Sequence, residues 1–133
     1  MIKKIDHIAV VVPDLEEARR FWVDGLGLEP GRVESVPEEA VDIAFLPVGG
    51  SEIELLQPTD PESGVAKYLA KRGPGMHHLC LEVDDIEAAL DRLRTAGIPL
   101  ITETAKVNHE GKKYAFVHPK GTGGVLVELY ELT

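Results

Sequence analysis

The segment HIAVVVPD, residues 7–14, and the segment HLCLEVDD, residues 78–85, share one pattern. In each, a His opens an apolar stretch typical of a strand, and an Asp suited to cap a helix closes it. A second pair, IELL at residues 53–56 and VELY at residues 127–130, matches near the ends of the two halves. The histidines are 71 positions apart and the glutamates 74, so the second half needs a slightly longer loop. A repeat that matches at both ends predicts a duplicated unit.

The flanking sequence gives each half the order βαβββ. The first half is predicted to contain a strand at Ile2–Val12, a helix at Leu15–Val23 and strands at Glu29–Val36, Val41–Val48 and Glu52–Gln57. The second is predicted to contain a strand at Met76–Val83, a helix from Ile86 to Gly97, and strands near Leu100–Lys106, Lys113–His118 and Val125–Leu132. The sequence therefore predicts an α+β fold in one domain, residues 1–133. Its repeats, about 1–58 and 75–133, are joined by the linker 58–74 and form a curved mixed sheet.

Charge and composition limit the kinds of partner. The chain has 14 Lys and Arg against 23 Asp and Glu, a net charge of −9, which argues against nucleic acid. No apolar run approaches the roughly 20 residues of a membrane span, and the start MIKKIDHIAV does not resemble a secretory signal. Cys80 is the single cysteine, which excludes an intrachain disulfide and fits a reducing compartment. We therefore expect a cytoplasmic protein without a membrane partner.

Four polar residues occupy equivalent places in the two halves, namely His7, Glu54, His78 and Glu128. A carboxylate inside an apolar strand must face solvent, pair with a cation or bind a metal, because burying it alone is costly. If the halves pack about a pseudo-twofold axis, all four side chains converge. Imidazole and carboxylate together suit Co²⁺, Mn²⁺, Ni²⁺ or Zn²⁺. The pattern predicts a divalent metal ion at the centre of the curved sheet.

Several motifs resemble those of the methylmalonyl-CoA epimerases, which belong to the vicinal oxygen chelate, or glyoxalase, superfamily. They are DHI at 6–8, ELLQP at 54–58, GMHHL at 75–79, VDDI at 83–86, HPK at 118–120 and GVLVEL at 124–129. The resemblance covers nearly the whole chain. It implies that His78, rather than His77, is a ligand, that Co²⁺ is a suitable metal, that the substrate is a CoA thioester, and that the protein is a homodimer.

The resemblance also implies a reaction, in which the α-proton of methylmalonyl-CoA is removed and returned to the opposite face through a metal-stabilised enolate. Asp42 matches a strand position that carries a Glu base in some epimerases, and Glu128 is the alternative base. The segment VNHEGK, residues 107–112, departs from the small Gly-rich turn of many epimerases and leaves the acyl and CoA contacts open.

Two other functions remain open from the sequence. A glyoxalase-like isomerase or a ring-cleaving dioxygenase would use the same scaffold, which hosts many chemistries. A drug-sequestering protein of the superfamily would bind its ligand without catalysis. All four ligand-type residues are present, which favours a metalloenzyme over the binding protein.

Overall fold

A computed structural model of the chain describes residues 1–132. Its strands are β1 (Ile2–Val11), β2 (Val33–Val36), β3 (Val41–Val48), β4 (Ser51–Pro58), β5 (Gly75–Val83), β6 (Lys106–Val107), β7 (Lys113–Val117) and β8 (Val127–Glu131). Its α-helices are α1 (Leu15–Arg19), α2 (Gly64–Arg72) and α3 (Ile86–Thr95). The order β1-α1-β2-β3-β4 recurs as β5-α3-β6-β7-β8, which confirms the predicted α+β class and its two βαβββ modules.

The chain divides into two compact units that do not coincide with its two halves. Unit 1 comprises Met1–His7 and the chain from His78 onward, and unit 2 comprises Ile8–His77. The beginning of strand β1 therefore belongs with the second half of the chain. The duplication itself, with repeats of about 1–58 and 75–133, stays a prediction from the sequence.

Unit 2 contains the strands β2, β3 and β4 and the later part of β1. Strands β2, β3 and β4 pair antiparallel, and the register of β3 and β4 runs without a bulge from Val41 opposite Pro58 to Val48 opposite Ser51. Two separate cores use opposite faces of this hairpin. One contains Val41 and Leu56, with residues of α2 packed against it, and the other contains Ala44, Leu46 and Leu55, with residues of α1. The polar residues of β3 and β4 are therefore sorted between two distinct faces.

Unit 1 contains the order β1-β5-β8-β7-β6. Strands β5 and β8 pair in parallel, whereas β7 pairs antiparallel with both β8 and β6. The core beneath them is built from Val83, Ile86, Leu90, Ala115, Val117 and Leu129. Asp85 caps α3 through a bond that its carboxylate accepts from the amide of Ala88, at 3.1 Å. This buried layer fixes the strands that carry the candidate ligands.

The structure differs from the predicted elements in two places. The predicted helix at Leu15–Val23 is α-helical only to Arg19 and continues as a π-helix, Arg20–Gly25. The strand predicted near Leu100–Lys106 is reduced to a bridge at Leu100 and to β6. The Thr102 hydroxyl accepts the bond from the Phe116 amide at 3.0 Å, a place that a backbone carbonyl would hold in a regular ladder.

Among the described residues, no helix combines the length and the apolar character needed to cross a bilayer.

Candidate metal centre

Neighbouring strands of unit 1 bring three of the predicted ligands together. His7 ends the part of β1 in this unit, His78 lies on β5 and Glu128 on β8, in the order β1-β5-β8. Glu128 is opposite Cys80 in the parallel register, and Cys80 follows His78 by two positions on the same strand face. The three side chains therefore lie on one face of three adjacent strands.

The polar tips of these side chains meet closely. The Nε2 atoms of His7 and His78 are 3.2 Å apart. Oε1 of Glu128 lies 3.1 Å from Nε2 of His78 and 3.5 Å from Nε2 of His7. The side chains are largely withdrawn from solvent, with exposed fractions of 10%, 9% and 13% for His7, His78 and Glu128. This group is the centre of the candidate site, and we call it the His-His-Glu cluster.

Electrostatics at the cluster favour an ionised Glu128. Burial raises the pKa of Glu128, but the rings of His7 and His78, when protonated, outweigh burial through hydrogen bonds and charge and bring the pKa to about 2. The ring of Phe116 packs edge-on against His78, with centroids 5.6 Å apart, and so limits access of water on that side. The carboxylate is thus a charged oxygen donor held beside two nitrogen donors.

The cluster fits a divalent ion in chemistry and in size. Metal–nitrogen and metal–oxygen bonds of ~2.1 Å place neighbouring ligand atoms ~3.0 Å apart in an octahedral site and ~3.4 Å apart in a tetrahedral one. The observed separations of 3.1, 3.2 and 3.5 Å span this range. Without a metal ion, the two imidazole nitrogens and the carboxylate oxygen would repel one another unless protons lay between them. The residues present can therefore hold a metal ion.

Asp6 and Cys80 are further neighbours of His7. The Nδ1 atom of His7 lies 2.8 Å from Oδ2 of Asp6, and the thiol of Cys80 is fully buried close to both. Burial raises the pKa of Cys80 to about 12, although a hydrogen bond with His7 lowers it in part. The thiol therefore stays protonated, and Cys80 acts as a small buried apolar side chain.

Glu54, the fourth predicted ligand, lies on β4 in unit 2. Its exposed fraction is 9%, and its neighbour across the hairpin is Phe45. It shares a face with Leu56 and, through the register, with Ile43 and Val41. A buried carboxylate on an apolar face is consistent with a ligand role, which stays a prediction for Glu54.

Asp42, the predicted base, lies on the other face of the same hairpin. It pairs with Gln57 and Ser35, and its Oδ1 accepts a hydrogen bond of 2.5 Å from the hydroxyl of Ser35. Because Asp42 and Glu54 project from opposite faces of a bulge-free hairpin, they cannot both address one metal ion. The role of Asp42 as the base stays a prediction, although Asp42 does not share a face with Glu54.

Asp6 and Tyr130 were not among the predicted site residues, although both lie near the cluster. Tyr130 follows Glu128 by two positions and so shares its face of β8; burial raises the pKa of its phenol, and a hydrogen bond with Asn108 offsets part of this effect. The Asn108 side chain also accepts bonds from the amides of Glu110 and Lys112, at 2.9 and 3.0 Å. The atypical segment 107–112 is thus a defined turn tied to the face that carries Glu128.

Asp6 directly precedes a candidate His ligand, and this adjacency is the feature of the sequence that could have identified it.

Comparison with known proteins defines the class of protein that carries this site. The chain belongs to the Glyoxalase/Bleomycin resistance protein/Dioxygenase superfamily, whose profile matches residues 6–116. Within it, the chain is 43% identical to the mitochondrial methylmalonyl-CoA epimerase of Bos taurus, over 95% of this chain and 73% of that protein. It is 40% identical to the ethylmalonyl-CoA/methylmalonyl-CoA epimerase of Cereibacter sphaeroides, over 99% of this chain and 100% of that protein.

A solved structure gives the same result for the fold. A methylmalonyl-CoA epimerase in complex with methylmalonyl-CoA and NH4+ superposes with a TM-score of 0.87 at 32% identity. The match covers 98% of this chain and 95% of that one. The predicted resemblance to the methylmalonyl-CoA epimerases is therefore confirmed.

Proposed function

We propose that this protein is a metal-dependent epimerase that interconverts the (R) and (S) forms of methylmalonyl-CoA. The observation that carries the proposal is the His-His-Glu cluster, which lies in a chain related over nearly its whole length to epimerases of this substrate. The cluster alone, or the relationship alone, would give less support to this reaction, because the superfamily hosts several chemistries.

His7, His78 and Glu128 would hold the metal, and Glu54 is the predicted fourth ligand. A bound divalent ion would polarise the thioester carbonyl and so make the α-proton more acidic. Two neutral imidazoles and a carboxylate are borderline donors, which suit Co²⁺ and also Mn²⁺, Ni²⁺ or Zn²⁺. The resemblance favours Co²⁺ among these ions.

Epimerisation requires that the α C–H bond breaks, that its electron pair enters a planar enolate, and that a proton returns to the opposite face. A side chain must accept the first proton. Glu128 lies in the site, but a carboxylate with a pKa of about 2 is a weak proton acceptor and is better suited to hold a cation. Asp42 lies on the hairpin face opposite Glu54. Both stay predicted bases, and the structure gives more support to Glu128 as a ligand.

The test is α-proton exchange of methylmalonyl-CoA in D₂O, followed by mass spectrometry. We expect rapid deuterium incorporation with Co²⁺-loaded protein, none above the spontaneous rate without metal, and none with His78→Ala. His118→Ala is the matched control, since this exposed His accepts a bond from the Lys120 amide and is not part of the cluster. Absence of exchange with metal-loaded wild type would refute the proposal. Deuterium exchange of ethylmalonyl-CoA, measured in parallel, shows whether the protein also accepts a larger acyl group.

We further infer a homodimer in the cytoplasm. The resemblance supports the dimer, and unit 1 exposes large apolar side chains, including Ile2, Ile5 and Val125, whose burial against a second copy would be favourable. Light scattering after size-exclusion chromatography tests the dimer, and a monomer at micromolar concentration would exclude it.

A further inference from the structure

We infer that Asp6 is a positioning residue for the metal site. Its carboxylate holds the ring proton of His7 on Nδ1, so that the unprotonated Nε2 atom faces the metal position. This inference rests on the proposed metal-dependent function and adds to it a residue outside the predicted ligand set.

The contact between Asp6 and His7 is unusual for adjacent residues of a strand. Neighbouring side chains normally project to opposite faces, yet Oδ2 of Asp6 lies 2.8 Å from Nδ1 of His7. Both side chains are largely withdrawn from solvent, with exposed fractions of 20% and 10%. A short bond to a charged acceptor in a mostly dry setting is among the stronger hydrogen bonds in proteins.

The position of Asp6 selects between the two neutral forms of the His7 ring. If the proton were on Nε2, the lone pair of Nδ1 would face a carboxylate oxygen at 2.8 Å, and two acceptors would repel each other. With the proton on Nδ1, the ring donates to Asp6 and Nε2 offers its lone pair to the cluster. A carboxylate that fixes the tautomer of a ligand His also raises the basicity of the coordinating nitrogen.

The other contacts of the cluster agree with this assignment. His78 can then donate from Nε2 to Glu128 at 3.1 Å, so that a single proton serves the contacts among the three tips in the metal-free protein. The thiol of Cys80 is the competing neighbour of His7. A thiol is a weak hydrogen-bond partner compared with a carboxylate, so Asp6 determines the tautomer.

The inference is tested on Asp6→Asn by two readouts, only one of which requires metal. Long-range ¹H–¹⁵N spectra of ¹⁵N-His protein, with His7 assigned through His7→Ala, report which ring nitrogen carries the proton. They are recorded metal-free at alkaline pH, where the imidazoles are neutral. Calorimetric titration with Co²⁺ gives the affinity. Asp91→Asn, which removes the same charge at an exposed pair with Arg94, is the matched control, and Asp6→Glu is the conservative variant.

We expect the proton on Nδ1 of His7 in wild type, in Asp91→Asn and in Asp6→Glu. In Asp6→Asn the amide can donate to Nδ1, so the proton should move toward Nε2 and the Co²⁺ dissociation constant should rise ~10–100-fold. Asp6→Glu should restore most of the affinity. A proton on Nε2 in wild type would overturn the inference, even if Asp6→Asn failed to fold. The inference would also be overturned if folded Asp6→Asn kept the wild-type tautomer, or if Asp91→Asn lost as much Co²⁺ affinity as Asp6→Asn. If wild type bound no Co²⁺ while Asp6→Asn moved the proton, the metal proposal would fail and the pairing of Asp6 with His7 would stand.

Discussion

Replacing Glu128 with Gln should remove most of the pH dependence of stability that the cluster gives the metal-free protein. Burial raises the pKa of this carboxyl, but the rings of His7 and His78, when protonated, hydrogen-bond to it and attract its charge, so its pKa is about 2 in the folded chain against an ordinary value of 4.5. A group whose pKa is lowered by folding stabilises the fold above its unfolded-state pKa. That contribution is lost as the pH falls from 4.5 toward about 2. At ~1.4 kcal/mol per pKa unit, the ionised carboxylate contributes ~3 kcal/mol at neutral pH.

The assay is urea unfolding of metal-free protein, followed by circular dichroism across the acid range. Between neutral pH and the lowest pH at which both remain folded, wild type should lose more stability than Glu128→Gln, and the difference should approach ~3 kcal/mol as the pH nears 2. The variant should be less stable at neutral pH by a similar amount, since two imidazoles lose their anionic partner. Glu103→Gln, at an exposed Glu of the same unit, is the control and should retain the wild-type profile. Superimposable acid profiles for wild type and Glu128→Gln would show that the Glu128 carboxylate does not stabilise the fold.

Three further changes separate the roles of ligand, core and predicted base. His78→Ala removes one of three donors and should weaken Co²⁺ binding in calorimetry by more than the ~10–100-fold that losing a supporting residue costs; unchanged affinity would remove His78 from the site. Leu90→Ala empties a fully buried position of the unit 1 core and should cost ~2–5 kcal/mol in urea unfolding; a cost below ~1 kcal/mol would contradict the packing. Asp42→Ala should leave deuterium exchange within ~3-fold of wild type, whereas loss of a general base would cost ~10²–10⁴-fold.

The repeat predicted the proximity of three side chains, because residue spacing along strands is regular. His7 and His78 start equivalent segments, and their Nε2 atoms lie 3.2 Å apart, as convergence of the two halves requires. Glu128 was found by the same alignment and joins them. The second module is less regular than predicted near Leu100–Lys106, because the Thr102 hydroxyl accepts the hydrogen bond of the Phe116 amide in place of a strand carbonyl.

The face of Asp42 could have been derived from the sequence. A two-residue turn at Gly49-Gly50 pairs Val48 with Ser51, and counting outward then places Asp42 opposite Gln57, away from Glu54. The contact between Asp6 and His7 could not have been derived from the sequence, because strand alternation predicts opposite faces for adjacent residues. Only the local geometry of the backbone and of the two side chains decides such a contact.

If His7, His78 and Glu128 bind one divalent cation, anomalous diffraction at the cobalt edge from crystals of Co²⁺-loaded protein will locate it. We expect one strong peak ~2.1 Å from Nε2 of His7, Nε2 of His78 and a carboxylate oxygen of Glu128. A peak bound by other residues, or a fully loaded protein with no peak at these three atoms, would contradict this expectation.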